Sequence, residues 1–148
     1  MLLSNPSFPA EAVLSTTEIS PVEAHDLMVS GEAAIVDVRL AEEISCFGAI
    51  PGSVWIPLGL LQDMAGEPID PAYADELNAM SGQDHANLYK GLITSAVQGK
   101  TLLVLCRSGN RSLKAIHLLR SLGYGLCYSV SGGAMEWENA GLPVQFLS

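Results

Sequence analysis

The 148-residue chain is poor in positive charge: seven Lys and Arg stand against sixteen Asp and Glu, a formal net charge of −9. So acidic a protein repels a phosphate backbone, which argues against nucleic acid as a partner. Cysteine is scarce, with only Cys46, Cys106 and Cys127 far apart along the chain. An odd count at wide spacing is neither a disulfide framework nor a zinc site. His25, His85 and His117 are scattered without ligand spacing, so no metal is expected. No apolar run approaches the roughly 20 residues a membrane span needs, so no membrane partner is expected. The opening "MLLSNPSFPAEA" has no basic residue and only a two-leucine patch. It does not read as a secretory signal, and a cytoplasmic location is expected.

What is present fits one globular domain over residues 1–148, with 49% hydrophobic and 16% charged residues. A chain of this length buries roughly two-thirds of its unfolded surface and needs no staples. The few basic residues are unevenly placed. Residues 1–99 hold fourteen acids and two bases, Arg39 and Lys90, for −12. Residues 100–148 hold five bases, Lys100, Arg107, Arg111, Lys114 and Arg120, and two acids, Glu136 and Glu138, for +3. One local basic spot on an acidic protein suits a small anion.

Along the chain, Ser20 reads as an N-cap, with Pro21 at the first helical position, Glu23 completing a capping box and Gly31 as a left-handed stop. "AAIVDVR" (33–39) reads as a buried strand, "AEEISCFGAIPGS" as a loop with breakers Gly48, Pro51 and Gly52, and "VWIPL" (54–58) as a second strand. Residues 59–99 are less patterned. "PAYADELNAM", capped by Asp70, and "NLYKGLITSAVQ" are candidate helices. "TLLVL" (101–105) is a third strand, "SLKAIHLLRSLG" (112–123) a well-buried helix and "LCYSVSGG" (126–133) a fourth strand. "AMEWENAG" is a last short helix. Apolar strands alternating with helices predict an α/β parallel sheet covered on both faces.

In such sheets ligands bind at the carboxyl ends of strands, and Cys106 sits at one, directly before a helix. Only a thiolate is a strong nucleophile, and a free cysteine titrates near pH 8.5. The amides of Arg107, Ser108, Gly109, Asn110, Arg111 and Ser112 precede or open that helix and lack intrahelical partners. Curled inward, they form an anion nest. The helix dipole adds about 0.3–1 kcal/mol and either arginine a full charge. Small Ser108 and Gly109 let the backbone wrap tightly. Every contribution favours a thiolate, and Cys106 is the expected nucleophile. Cys46 and Cys127 read as small buried hydrophobes, although Cys46, ahead of "GAIPG", is also a candidate resolving thiol. Arg39 is expected to pair with Asp37. Trp137 fits either a pocket wall or the core.

"LCRSGNRS" resembles the active-site loop of single-domain rhodanese-family sulfurtransferases. "IVDVR" (35–39), "GAIPGSVWIP" (48–57) and "GGAMEWENAGLPV" (132–144) resemble three further family stretches, in family order, from about residue 15 to 144. The resemblance implies a rhodanese-like central five-stranded parallel sheet with helices on both faces. It implies that Cys106 takes sulfane sulfur from thiosulfate or a similar small anionic donor and becomes a persulfide. The amides from Arg107 to Ser112 would hold the donor and the persulfide, and Arg107 and Arg111 would attract the donor. The outer sulfur would pass to cyanide or a thiol acceptor, including a protein thiol. No cofactor is implied. Two departures stand out: Ala49 replaces a family histidine, expected to alter local stability, and 59–99 is a long insert.

Two alternatives belong to other classes. Cysteine phosphatases and arsenate reductases also cradle an anion, but the phosphatase loop carries five residues between cysteine and arginine. Here there are four, from Arg107 to Asn110, and none is acidic. A non-catalytic sulfur carrier or interaction module is the second alternative. Inactive modules of this type usually lack the cysteine, which this chain keeps.

Overall fold

The computed structural model describes residues 18–79 and 99–146. The candidate helix in "NLYKGLITSAVQ" and His85 lie outside the described residues. The elements are β1 (Glu18–Ile19), α1 (Pro21–Ser30), β2 (Ala33–Asp37), α2 (Ala41–Phe47), β3 (Val54–Trp55) and α3 (Leu58–Met64). They continue with α4 (Pro71–Ala79), β4 (Thr101–Leu105), α5 (Asn110–Ser121), β5 (Cys127–Val130) and α6 (Gly133–Asn139).

The five strands form one sheet in the order β1-β5-β4-β2-β3, and every pairing is parallel. β2 and β4 pair over their whole length, from Ala33 with Thr101 to Asp37 with Leu105. Both strands are fully buried. Successive side chains of a strand alternate between sheet faces. Ala34, Val36, Val38, Leu102, Val104 and Cys106 therefore join one cluster with α3, Tyr73 of α4 and α5. Ala33, Ile35, Leu103 and Leu105 join the other, with α1 and α6. Each fully buried Val, Leu or Ile contributes about 1.5–3 kcal/mol relative to exposure, so the β2–β4 pair anchors both layers. Among the described residues no helix is long and apolar enough to cross a membrane.

Local chemistry explains most boundaries. Ser20 Oγ accepts from the Glu23 amide at 3.2 Å, and Gly31 closes α1 at φ 86°. Asp70 accepts from the Ala72 amide at 2.9 Å and caps α4. Trp137 is fully buried, with its indole N–H donating to the Pro143 carbonyl, so it belongs to the core. Ala49 makes a two-way backbone bridge to Gln145, a contact that does not call on its side chain.

Several sequence readings are corrected. Residues 41–47 are a helix, not a loop: Glu43 reaches back to the Leu40 amide at 3.1 Å and substitutes for a polar cap. The strand read as 54–58 ends at Trp55, and Leu58 opens α3, which is buried from Leu58 to Gln62 and so lacks an amphipathic period. α5 starts at Asn110, not Ser112, because Gly109 at φ 102° serves as its N-cap. Leu113 is exposed on α5, and Cys46 is exposed on α2. The short β1 was absent from the sequence reading and supplies the fifth strand.

Asp37 and Arg39 form a buried pair, Oδ2 to Nη2 at 2.7 Å, each residue only 1% exposed. Arg39 also donates to the Gly48 carbonyl at 3.0 Å and so pins the segment after α2. Breaking such a pair leaves an uncompensated buried charge. Asp37→Asn is expected to cost about 3–5 kcal/mol, read as a lowered urea midpoint at unchanged slope.

Candidate active site

β4 delivers Cys106 to the carboxyl edge of the sheet, and the chain then turns tightly into α5. Cys106 is fully buried. Its Sγ accepts from the Gly109 amide at 3.0 Å and the Ser112 amide at 3.3 Å. Among the described residues these two are the amides bonded to the sulfur. The sulfur therefore faces the positive end of α5, where unpaired N–H groups and the helix dipole favour an anion. Ser108 and Asn110 lie on the exposed rim of the loop.

Two layers hold this loop in shape. From below, Ser112 Oγ donates to the Gly109 carbonyl at 3.0 Å and meets the buried hydroxyl of Ser129 on β5. From the side, the first amides of α6 bind the loop's carbonyls: Ala134 to Cys106 at 2.7 Å and Met135 to Arg107 at 3.0 Å. These two bonds fix the peptide units that join Cys106 to Arg107 and Arg107 to Ser108, the start of the turn. The approach is so close that a Cβ on Gly133 would lie 2.4 Å from the Cys106 carbonyl oxygen. Gly133 also sits at φ 61°, a conformation that L side chains rarely adopt.

The two loop arginines have different surroundings. Arg111 is clamped by Glu43 of α2 in a two-pronged pair at 2.6 and 2.7 Å. It also donates to the Tyr73 hydroxyl at 2.8 Å, which in turn donates to the Val38 carbonyl at 2.8 Å. Burial works to raise the Glu43 carboxyl. The Arg111 contact, the Leu40 amide and the charges of Arg111 and Arg39 together outweigh it and hold the carboxyl below its ordinary value. The same Glu43 contact raises Arg111 further, against its own burial. Burial pushes the Tyr73 phenol up as well. Arg111 is thus charge-matched and stationary. Arg107, half-buried, stacks its guanidinium over the Phe47 ring at 3.8 Å from the centroid. It makes no ion pair among the described residues.

Every loop residue singled out from the sequence lies on this one turn. Sequence reasoning missed Glu43, Tyr73, Phe47, Ser129 and the role of Gly133. Glu43 and Arg111 are 68 residues apart, and no spacing rule links them. Only the glycine pair was a visible cue. Cys127 stays apart from the loop: its Sγ donates to the Tyr124 carbonyl, and burial pushes its thiol up to about 11. That suits an inert structural cysteine.

The fold and this turn define a class: a parallel α/β protein holding a thiol on backbone amides at a strand-to-helix junction. The comparisons with known proteins agree. The family model for the rhodanese-like domain matches residues 20–140, so the chain belongs to the rhodanese-like family. It is 31% identical over 119 residues to human thiosulfate:glutathione sulfurtransferase, covering 80% of this chain and 90% of that one. It is 27% identical over 136 residues to Arabidopsis thaliana thiosulfate sulfurtransferase 16, chloroplastic, covering 92% and 98%. The solved structure of the human single-domain sulfurtransferase TSTD1 matches with TM-score 0.56 and 29% identity, over 84% of this chain and 96% of that one. A Rhodopseudomonas palustris protein of unknown function, described as a possible tyrosine phosphatase, matches in fold. Its TM-score is 0.63 at 24% identity, over 98% of this chain and 100% of that one.

The Glu43–Arg111 pair has a pH signature. A carboxyl held below its ordinary value of 4.5 stabilises the fold above that pH and loses the contribution as pH falls through the lowered value. Glu43→Gln is expected to cost about 1–3 kcal/mol at pH 7, between exposed and buried pairs. The loss should shrink at pH 3, as thermal melts at the two pH values would show.

Proposed function

We propose that the chain is a thiosulfate sulfurtransferase working through a Cys106 persulfide. The observation that carries this reading is the pair of amides, from Gly109 and Ser112, directed at Sγ at 3.0 and 3.3 Å. Amides so placed favour a thiolate before reaction and the anionic persulfide after it. Membership of the sulfurtransferase family and the names of the relatives above support the same chemistry.

In the first half-reaction the Cys106 thiolate attacks the outer sulfur of thiosulfate. The Sγ–S bond forms, the donor's S–S bond breaks, and sulfite leaves with the electron pair. In the second, an acceptor attacks the outer sulfur and the Sγ–S bond breaks. The electron pair returns to Sγ, restoring the thiolate. Cyanide leaves as thiocyanate and a thiol as its persulfide, and a protein thiol reacts in the same way. Because Cys106 has no solvent exposure, each substrate needs a local opening of the loop, a motion of the kind loops make on nanosecond-to-microsecond timescales.

The charges divide the work. Arg107 supplies positive charge at the loop's edge for an anionic donor. Arg111, matched by Glu43, chiefly holds the loop against α2 and Tyr73. The amides of Arg107, Ser108, Gly109, Asn110, Arg111 and Ser112 remain the proposed cradle for the donor and the transferred sulfur.

Intact-protein mass after incubation with thiosulfate should show a gain of one sulfur atom, removed by cyanide with release of thiocyanate. Cys106→Ser should show no gain while its circular dichroism matches the parent. A Cys106→Ser protein that still turns over would sink the assignment.

A further inference from the structure

β5 carries a hydroxyl in the middle of the core. All four residues of "CYSV" are buried, and Ser129 is fully so. β-branched and aromatic side chains pack best at such positions. A hydroxyl taken out of water there costs free energy unless it finds a partner. Ser129 alternates with Tyr128 and Val130, which join the cluster on the α1 and α6 face, so it points to the other face, beneath α5. Among the described residues its side chain has one hydrogen-bond partner, the hydroxyl of Ser112.

Proton counting fixes the direction of that bond. Ser112 has one hydroxyl proton, and it goes to the Gly109 carbonyl at 3.0 Å, which can only accept. Ser129 is therefore the donor to Ser112 Oγ. The two bonds form a chain, Ser129 to Ser112 to Gly109, that runs from the sheet into the loop. The loop residues it ties down, Gly109 and Ser112, are the two whose amides bond to Cys106 Sγ, at 3.0 and 3.3 Å. β5 pairs with β1 on one side and β4 on the other, so the chain starts from a fixed point inside the sheet.

We infer that Ser129 is a positioning residue for the nucleophile: acting through Ser112, it holds the Gly109 and Ser112 amides on the Cys106 sulfur. The inference rests on the reading of Cys106 as the nucleophile and deepens it. With the Ser129 hydroxyl gone, Ser112 Oγ loses its incoming donor, and the Ser112 side chain is free to leave the Gly109 carbonyl. The turn from Gly109 to Ser112 then loosens. Its amides meet the sulfur at longer range and poorer angle, where a hydrogen bond weakens steeply. Hydrogen bonds to the charged form favour that form, so their weakening costs thiolate before it costs fold.

The test titrates the ultraviolet absorbance of the Cys106 thiolate against pH, as the difference from matching Cys106→Ser protein, in variants whose circular dichroism matches the parent. Ser129→Ala is expected to move the midpoint up by at least about 0.3 pH unit, a twofold loss on the scale of one weakened hydrogen bond. A purely structural role would lower the urea midpoint and leave the titration in place. In a Ser112→Ala background, which keeps the Ser112 amide, the same substitution is expected to add less than half of that movement, because the chain is already cut. A smaller movement in Ser129→Ala would overturn the inference. So would one that persists by half or more in the Ser112→Ala background, since Ser129 would then act by another route. Protein that loads sulfur while Ser129→Ala titrates with the parent sinks this inference alone. Protein that shows both expected movements but gains no sulfur from thiosulfate sinks the persulfide reading and leaves this inference standing. A parent with no Cys106 thiolate titration sinks both.

Discussion

The site depends on two backbone hydrogen bonds, from the amides of Ala134 and Met135 to the carbonyls of Cys106 and Arg107. A peptide unit is planar, so turning its carbonyl one way turns its N–H the other. α6 thereby orients the amides of Arg107 and Ser108 and fixes the start of the turn, from which the amides of Gly109 and Ser112 reach the sulfur. Ser112 reinforces this from below by tying the Gly109 carbonyl and Ser129 into one polar contact beneath the turn. The constraint also explains the glycine at 133, since any side chain there would occupy the space of the Cys106 carbonyl. The path of the loop around the thiol is therefore fixed in part by a helix that comes last in the chain.

Charge near the loop serves two separate purposes. Arg111 is matched by Glu43 and Tyr73, and this trio joins α2, α4 and α5 around the turn. The interaction is mainly architectural: a two-pronged, partly buried pair orients a guanidinium firmly and leaves little net charge. Arg107 keeps its charge and is oriented by an aromatic face. An acidic protein of net charge −9 thus presents a small positive point at the edge of the Cys106 loop.

Parts of this were legible from residue order because they rest on local physics. The caps at Ser20, Gly31 and Asp70 act over two to five residues, and they appear as read. Strands β2 and β4 declare themselves as apolar runs because both of their faces are buried. The strand–cysteine–small-loop–arginine order places the thiol at a helix N-terminus whatever else surrounds it. Other parts were not legible. α2 begins at a leucine with no capping side chain, and its surrogate cap is Glu43, whose carboxylate is shared with Arg111 far along the chain. α3 is buried on nearly every side, and β1 is two residues long, too short for any periodicity. The α5 start slipped by two residues because a left-handed Gly109 replaced a polar cap.

By itself, residue order determined the kind of chemistry: a single thiol, loop amides and two cations placed within seven consecutive residues. Proximity along the chain guarantees proximity in space over so short a span, so the tertiary structure had little left to decide there. What only the tertiary structure decided is how each group is used. It set which arginine keeps its charge and how α6 pins the start of the turn. These depend on contacts between residues from 28 to 68 positions apart. Such contacts exist only after the sheet has ordered its strands and brought α2, α4 and α6 to one end.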